Sequence, residues 1–144
     1  MAIQSASGLK LYVGASAGAN TKAEFEALSW IIVKHIESVG DFGDSFSPII
    51  FQGLEGRSQK FKGSVDGGNF ALVYAFDDAC AGQNYILFYH AYKIAVPIKI
   101  VFPAGDIRYL NGHLFSVKES AASADSILMV NANVGVAGAI IRVT

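Results

Sequence analysis

The side chains best equipped for chemistry in this 144-residue chain are three histidines, one cysteine and two groups of carboxylates at turns. His35, His90 and His113 fall in three separate segments with neither HxH nor HExxH spacing. No cysteine cluster joins them, so no nitrogen–sulfur metal set emerges. Cys80 is the one cysteine, which rules out an internal disulfide and reads as a buried free thiol. Paired with His90 along a helix it would lie about three turns away on a different face, poor geometry for an activated nucleophile. Asp41 and Asp44 bracket Phe42-Gly43, and Asp66 precedes Gly67-Gly68. Such oxygens suit calcium, but the EF-hand order of ligands is missing. Asp capping its own backbone beside Gly is the simpler account. Asp41-Phe42-Gly43 spells a kinase triplet without the glycine-rich and catalytic loops that give it meaning. There is no nucleophile elbow or P-loop, and Gly53–Arg57 (GLEGR) does not lead into a helix that would cradle phosphate. The expectation is a non-enzymatic chain without cofactor or metal.

The elements that would carry these residues are mostly extended. Leu9–Val13, Trp30–Val39, Ser47–Gln52 and Phe61–Ser64 read as strands, as do Val96–Phe102, Ile127–Val134 and Gly138–Val143. Gly14–Asn20 reads as a loop, and Glu24–Leu28 as a turn of helix. Asn69–Phe76 alternates large Phe70, Leu72, Tyr74 and Phe76 with smaller residues, a strand with one bulky face. Asp66-Gly67-Gly68 is predicted to be a tight hairpin turn whose glycines take positive φ, and Asn111-Gly112 a second hairpin turn. Only one segment carries a strong helical period. Asp77-Asp78 offers an N-cap and 79–92 reads as helix, with Ala81, Tyr85, Phe88 and Tyr92 on one face. Tyr85, Phe88 and Tyr92 are therefore expected to meet apolar surface, in the domain's own sheet or in a neighbouring subunit.

Composition bounds the rest. The chain is 52% hydrophobic and only 16% charged, with mean hydropathy +0.38. An average soluble domain has about 25% charged residues. One small domain has little interior in which to hide such an excess, so part of it is expected in subunit contacts. Eleven basic against twelve acidic residues argues against a protein that grips phosphates. The N-terminus lacks the pattern of a signal peptide, and no apolar run approaches a membrane span. No membrane insertion is expected. The polar segment 53–60 interrupts two strands without a core role. Its Leu54, Glu55, Arg57 and Lys60 are expected at a subunit interface, where both charge signs suit complementary contact. The arm 1–8 is a second candidate for that task.

Several motifs recur in one order. Trp30-Ile31-Ile32-Val33-Lys34-His35-Ile36-Glu37-Ser38-Val39 is followed by Gly40-Asp41-Phe42-Gly43-Asp44. Lys60-Phe61-Lys62-Gly63-Ser64-Val65-Asp66-Gly67-Gly68-Asn69 comes next, then Asp77-Asp78 with Gly82-Gln83. Phe102-Pro103-Ala104-Gly105-Asp106 and Gly112-His113-Leu114-Phe115-Ser116-Val117 close the series. In this order and spacing the chain resembles the tail tube proteins of long-tailed bacteriophages over nearly its whole length. The resemblance implies a mainly β fold, a sandwich or barrel of short antiparallel strands with one flanking helix at about 79–92, in one domain over 1–144. It implies hexameric rings that stack into a tube whose inner strands line a channel. DNA would pass through the channel without specific binding. The implied partners are further copies of the chain, a tape measure protein, and tail terminator or distal tail proteins. The implied location is the virion tail, assembled in the host bacterial cytoplasm. A related fold in the type VI secretion tube protein keeps an injection-tube reading open, and a head–tail connector ring is a further alternative.

Overall fold

A computed structural model describes residues 3–121 and 123–143. Seven strands form one antiparallel sheet. In chain order they are β1 (Lys10–Gly14), β2 (Trp30–Val33), β3 (Ile36–Val39), β6 (Asn69–Ala75), β7 (Val96–Val101), β8 (Ile107–Ser120) and β9 (Met129–Val143). Two more strands, β4 (Ser45–Gln52) and β5 (Ser58–Asp66), pair only with each other. Helix α1 (Lys22–Ala27) follows β1 and α2 (Ala81–Tyr92) follows β6.

The main sheet runs β2-β1-β7-β8-β9-β6-β3. Its two edge strands are neighbours in sequence, joined by Lys34-His35 alone. Three Cα steps span roughly 11 Å at most, so the edges must come close and the sheet curls into a barrel with a seam. Trp30–Val39 is therefore not the single strand its β-branched run predicts. His35 turns left-handed (φ 66°) and sends the two halves to opposite edges. The curled sheet encloses a core of Leu11, Val13, Leu72, Tyr74, Ile98, Ile100, Leu110 and Val134, all nearly or fully inaccessible. A smaller cluster on its outer face stacks Phe25 of α1 against Tyr109, with ring centroids 5.3 Å apart and Trp30 beside them. The mainly antiparallel β architecture follows expectation, and the turn of helix expected at Glu24–Leu28 is α1, shifted to Lys22–Ala27. Thr21 caps α1, its hydroxyl accepting the Glu24 N–H at 3.3 Å.

Three turn assignments are corrected. Asn111-Gly112 lies inside β8, where Asn111 faces Pro97 on one side and Ala137 on the other. A side chain at buried Gly112 would run into Val134, so the glycine serves close packing. The hairpin joining β7 and β8 is instead Phe102–Asp106, where Phe102 N–H donates to Asp106 O at 2.8 Å and Gly105 takes φ +108°. Residues 127–143 do not form two strands around a turn, because β9 runs through as one strand with left-handed Gly138 inside it. Asp66-Gly67-Gly68 is no hairpin turn either, since β5 and β6 belong to different sheets. It is a jog between them. Gly68 has φ +74° and donates to Asp66 Oδ1 at 3.1 Å, while Gly67 has no positive φ and lies against Val136.

Candidate assembly interface

β3 leads into β4 and β5 leads into β6, and β3 pairs with β6 as β4 pairs with β5. The four strands are thus two legs of one long hairpin, interrupted at 40–44 and 67–68. Its inner half belongs to the barrel and its outer half stands free. Along β5, Gln59, Phe61 and Gly63 share one face and Ser58, Lys60 and Lys62 the other, and beyond them the register with β4 shifts between Phe46 and Pro48. Directly paired residues share a face, and the pairs are Phe51 with Gln59, Ile49 with Phe61 and Phe46 with Val65. Ile49, Phe51 and Phe61 therefore build one apolar face, each side chain 55–59% exposed, while the register shift puts Phe46 and Val65 on the other face, where Lys62 Nζ lies 4.9 Å over the Phe46 ring. A two-stranded ribbon in water is marginal by itself, and this one turns its apolar face outward.

The expected interface loop 53–60 is shorter than its sequence suggests. Ser58, Gln59 and Lys60 belong to β5, and the turn is 53–57, closed by Gly56 N–H to Gly53 O at 3.2 Å with Gly56 at φ +86°. Leu54 and Glu55 sit in this tip, and Leu54 is fully exposed. Arg57 and Lys60 are exposed at and beyond its far side. Of the arm 1–8, residues 1 and 2 lie outside the described residues. Gln4 Oε1 accepts the Ala104 N–H at 3.0 Å, tying the arm to the β7–β8 turn.

Helix α2 begins at Ala81, two residues later than expected, and its N-cap is Cys80 without a side-chain bond. Asp77 acts one step earlier, its Oδ1 accepting the Ala79 N–H at 3.0 Å. The face turned to the domain's own sheet is Gly82, Gln83, Ile86 and Tyr89. Tyr89 donates its hydroxyl to Gly14 O at 2.8 Å. Of the two surfaces expected for the aromatic face, the domain's own sheet is not the one that Phe88 and Tyr92 meet: Tyr85 is half-buried, while Phe88 and Tyr92 are 46% and 64% exposed, their rings 4.7 Å apart. The aromatic period was read correctly as helical, but a glycine and a glutamine mark the inner side. Ala15, Ala81, Asn84, Tyr85 and Phe88 line an open groove of about 530 Å³ on the outside.

Gln83 is the group that sequence reasoning passed over. It is 3% exposed and joins three backbone groups at the seam. Its Oε1 accepts the Asp77 N–H at 2.9 Å, and its Nε2 donates to Lys34 O at 3.1 Å and Ala75 O at 2.9 Å. Cys80 Sγ lies 3.8 Å from Ile32 O, and Gly82 seats directly on the Ile32 carbonyl. The start of α2 thereby covers the free edge of β2. On the surface nearby, His35 Nε2 lies 3.1 Å from Asp77 Oδ2. Inside, burial pushes the Tyr74 hydroxyl up to about 12, helped by Cys80 and Glu119. His90 and His113 line one open groove with Phe115, whereas Asp41 and Asp44 lie in the irregular stretch 40–44 and Asp66 ends β5. Among the described residues no three His, Cys, Asp or Glu side chains are grouped to hold a metal, and no helix is long and apolar enough to cross a membrane.

No family model matches the sequence, and no curated protein matches it. Solved structures do. A chain of the sheath/tube terminator of an extracellular contractile injection system, PVC, superposes with a TM-score of 0.72 at 14% identity, covering 100% of this chain and 99% of that one. The SPP1 tail tube gives 0.71 at 15% identity, over 93% of this chain and 75% of that one. The chain has the fold of tail tubes. A chain from the tail of an empty GTA particle with C6 symmetry gives 0.72 at 11% identity, over 99% of this chain and 100% of that one. At these identities the shared property is the fold.

Proposed function

We propose that this chain is a structural subunit of a tail tube, assembling as hexameric rings that stack into the conduit for DNA delivery. The observation that carries the reading is the exposed apolar ribbon β4–β5. It belongs to a tail-tube fold and presents six large apolar side chains to water, Phe46, Ile49, Ile50, Phe51, Phe61 and Val65. A surface of this kind on a folded chain marks a protein interface. Partners are further copies of the chain, with a tape measure protein and terminator or distal tail proteins at the ends of the tube. Its place is the tail of a virion, built in the host bacterial cytoplasm. The work is mechanical, and no catalytic step is assigned.

The tip of the ribbon, Leu54 to Arg57, reaches from one ring into the next. Size-exclusion chromatography with negative-stain imaging of the purified chain tests the reading, and rings or tubes are expected. Deleting Leu54–Gln59 leaves folded subunits or single rings. Tubes of normal length from the deletion remove the tip from the mechanism and point to the arm 1–8. A protein that stays monomeric at high concentration refutes the tube. The near-complete match to a chain of a sheath/tube terminator structure favours one second reading, a terminating ring of an injection system. That reading expects wild-type rings that do not grow.

A further inference from the structure

The main sheet has two free edges, and the chain treats them differently. The β2 edge is covered by α2 through Gln83, Gly82 and Cys80. The β3 edge is left open, and beside it lies a groove of about 450 Å³ between Ile36–Val39 and Ala6–Leu9. Half-buried Leu9, Ile36 and Val39 give the groove an apolar floor. β3 pairs on one side only, so its outer backbone N–H and C=O groups have no partner strand among the described residues. Open edges of this kind recruit another strand. On the other leg of the same long hairpin, β5 also pairs on one side only.

These two edges carry opposite charge. The open leg from Ile36 to Asp44 holds Glu37, Asp41 and Asp44 and no cation, all three exposed. The stretch from Arg57 to Lys62 holds Arg57, Lys60 and Lys62 and no anion, all three exposed. Within one copy the two stretches lie on opposite legs and opposite sides of the ribbon, so they cannot pair with each other.

We propose that the β5 edge of one copy adds to the β3–Asp44 edge of a second copy. Lys60, Lys62 and Arg57 meet Glu37, Asp41 and Asp44, and Phe61 enters the apolar groove. The contact is heterologous, edge A to edge B, and repeats around a ring until the rotation closes. Main-chain hydrogen bonds hold the strand while charge sets register and direction. The proposal rests on the tube reading and adds to it the surface that closes each ring.

A charge swap tests it. Glu37→Lys with Asp41→Lys makes one variant, and Lys60→Glu with Lys62→Glu makes the other. All four positions are exposed, and circular dichroism melts establish that each variant folds. Each variant alone is expected to lose rings and tubes in negative-stain images at a salt concentration where wild type forms them. The variant carrying all four changes is expected to recover them. Rings from either single-sided variant, or failure of the four-fold variant to recover, overturns the edge pairing while wild-type tubes leave the tube reading standing. Wild-type protein without rings sinks both.

Discussion

Replacing Gln83 by leucine keeps roughly the volume and removes every polar bond at the seam. Two carbonyls, Lys34 O and Ala75 O, and the Asp77 N–H lose the partners they have at 2.9–3.1 Å. A buried backbone group left without a partner costs about 1–3 kcal/mol. The three groups do not add in full, because relaxation at the rim lets some of them find water. The leucine also gains burial at a site only 3% exposed, which offsets part of the loss. A net loss of about 3 kcal/mol is expected. A chain of this size shifts by about 4 °C per kcal/mol, so the melting temperature of the subunit falls by about 12 °C. Differential scanning calorimetry on protein kept below its assembly concentration reads this directly. Gln83→Glu adds a check on mechanism. It keeps an acceptor for Asp77 N–H but points a carboxylate at two carbonyls, which raises its folded-state pKa. Its stability is then highest below the ordinary Glu value and falls as pH rises. A leucine variant melting within about 2 °C of wild type refutes the view that Gln83 locks the seam.

Gly82→Ala improves intrinsic helix propensity by about 1 kcal/mol, yet it is expected to destabilise, because its Cβ would enter the Ile32 carbonyl. Chemical denaturation gives the sign, and a stabilised variant contradicts the seating of α2 on β2. Gly68→Ala and Gly67→Ala both lower stability, by about 1 kcal/mol or more, for different reasons. At Gly68 the cause is φ +74°, which no neighbour can relieve, whereas at Gly67 a Cβ would lie 2.6 Å from Val136 Cγ1. Val136→Ala therefore rescues Gly67→Ala alone, as a double-mutant cycle of melting temperatures will read. Tyr74, held near 12 in the fold against an ordinary 10, favours the protonated folded state. Its contribution of roughly 2–3 kcal/mol is complete below pH 10 and lost as pH rises through 12. Tyr74→Phe flattens the alkaline limb of the stability curve, and an unchanged limb assigns the effect to another group.

How much of this was legible depended on whether the signal was local. The alternation of Phe70, Leu72 and Tyr74 with small residues placed β6 and its buried face correctly, because one side of a strand meeting a core leaves a period of two. The helical period of Tyr85, Phe88 and Tyr92 located α2, but apolar spacing ranks side chains by hydrophobicity and says nothing of backbone proximity. The inner face had to carry a glycine to approach β2 and a glutamine to satisfy its carbonyls, residues that a hydrophobic pattern discounts. Asn111-Gly112 misled for the complementary reason. A turn dipeptide also serves where strands crowd, and only the partner strands reveal which use applies. The break at Lys34-His35 was invisible, since it is set by closure of the barrel and the chain there stays β-branched on both sides. The proposed interface was half legible. Polarity located the exposed tip at 53–57, while the exposed apolar residues beside it emerged only when β4 and β5 were seen to pair with each other and with no core.

Those residues explain where the apolar excess of the composition goes. The barrel core is filled by side chains at or near zero exposure, and α1 covers part of its outer surface with a second cluster. The surplus is concentrated on a ribbon that crosses out of the domain and on one side of α2. A soluble monomer gains nothing from holding six large apolar residues on a two-stranded ribbon, which cannot bury them within itself. It would replace them with polar residues at no cost to the barrel. Their presence makes sense when the ribbon's stable state includes a neighbour. The covered β2 edge and the open β3 edge carry the same logic. Where pairing is unwanted, the chain applies a helix with a buried glutamine. Where it leaves the edge bare, the acidic residues on it match the basic residues on the ribbon's opposite side. In the proposed ring the same four strands thus belong to the barrel of one copy at one end and offer open edges and exposed apolar residues to the next copy at the other.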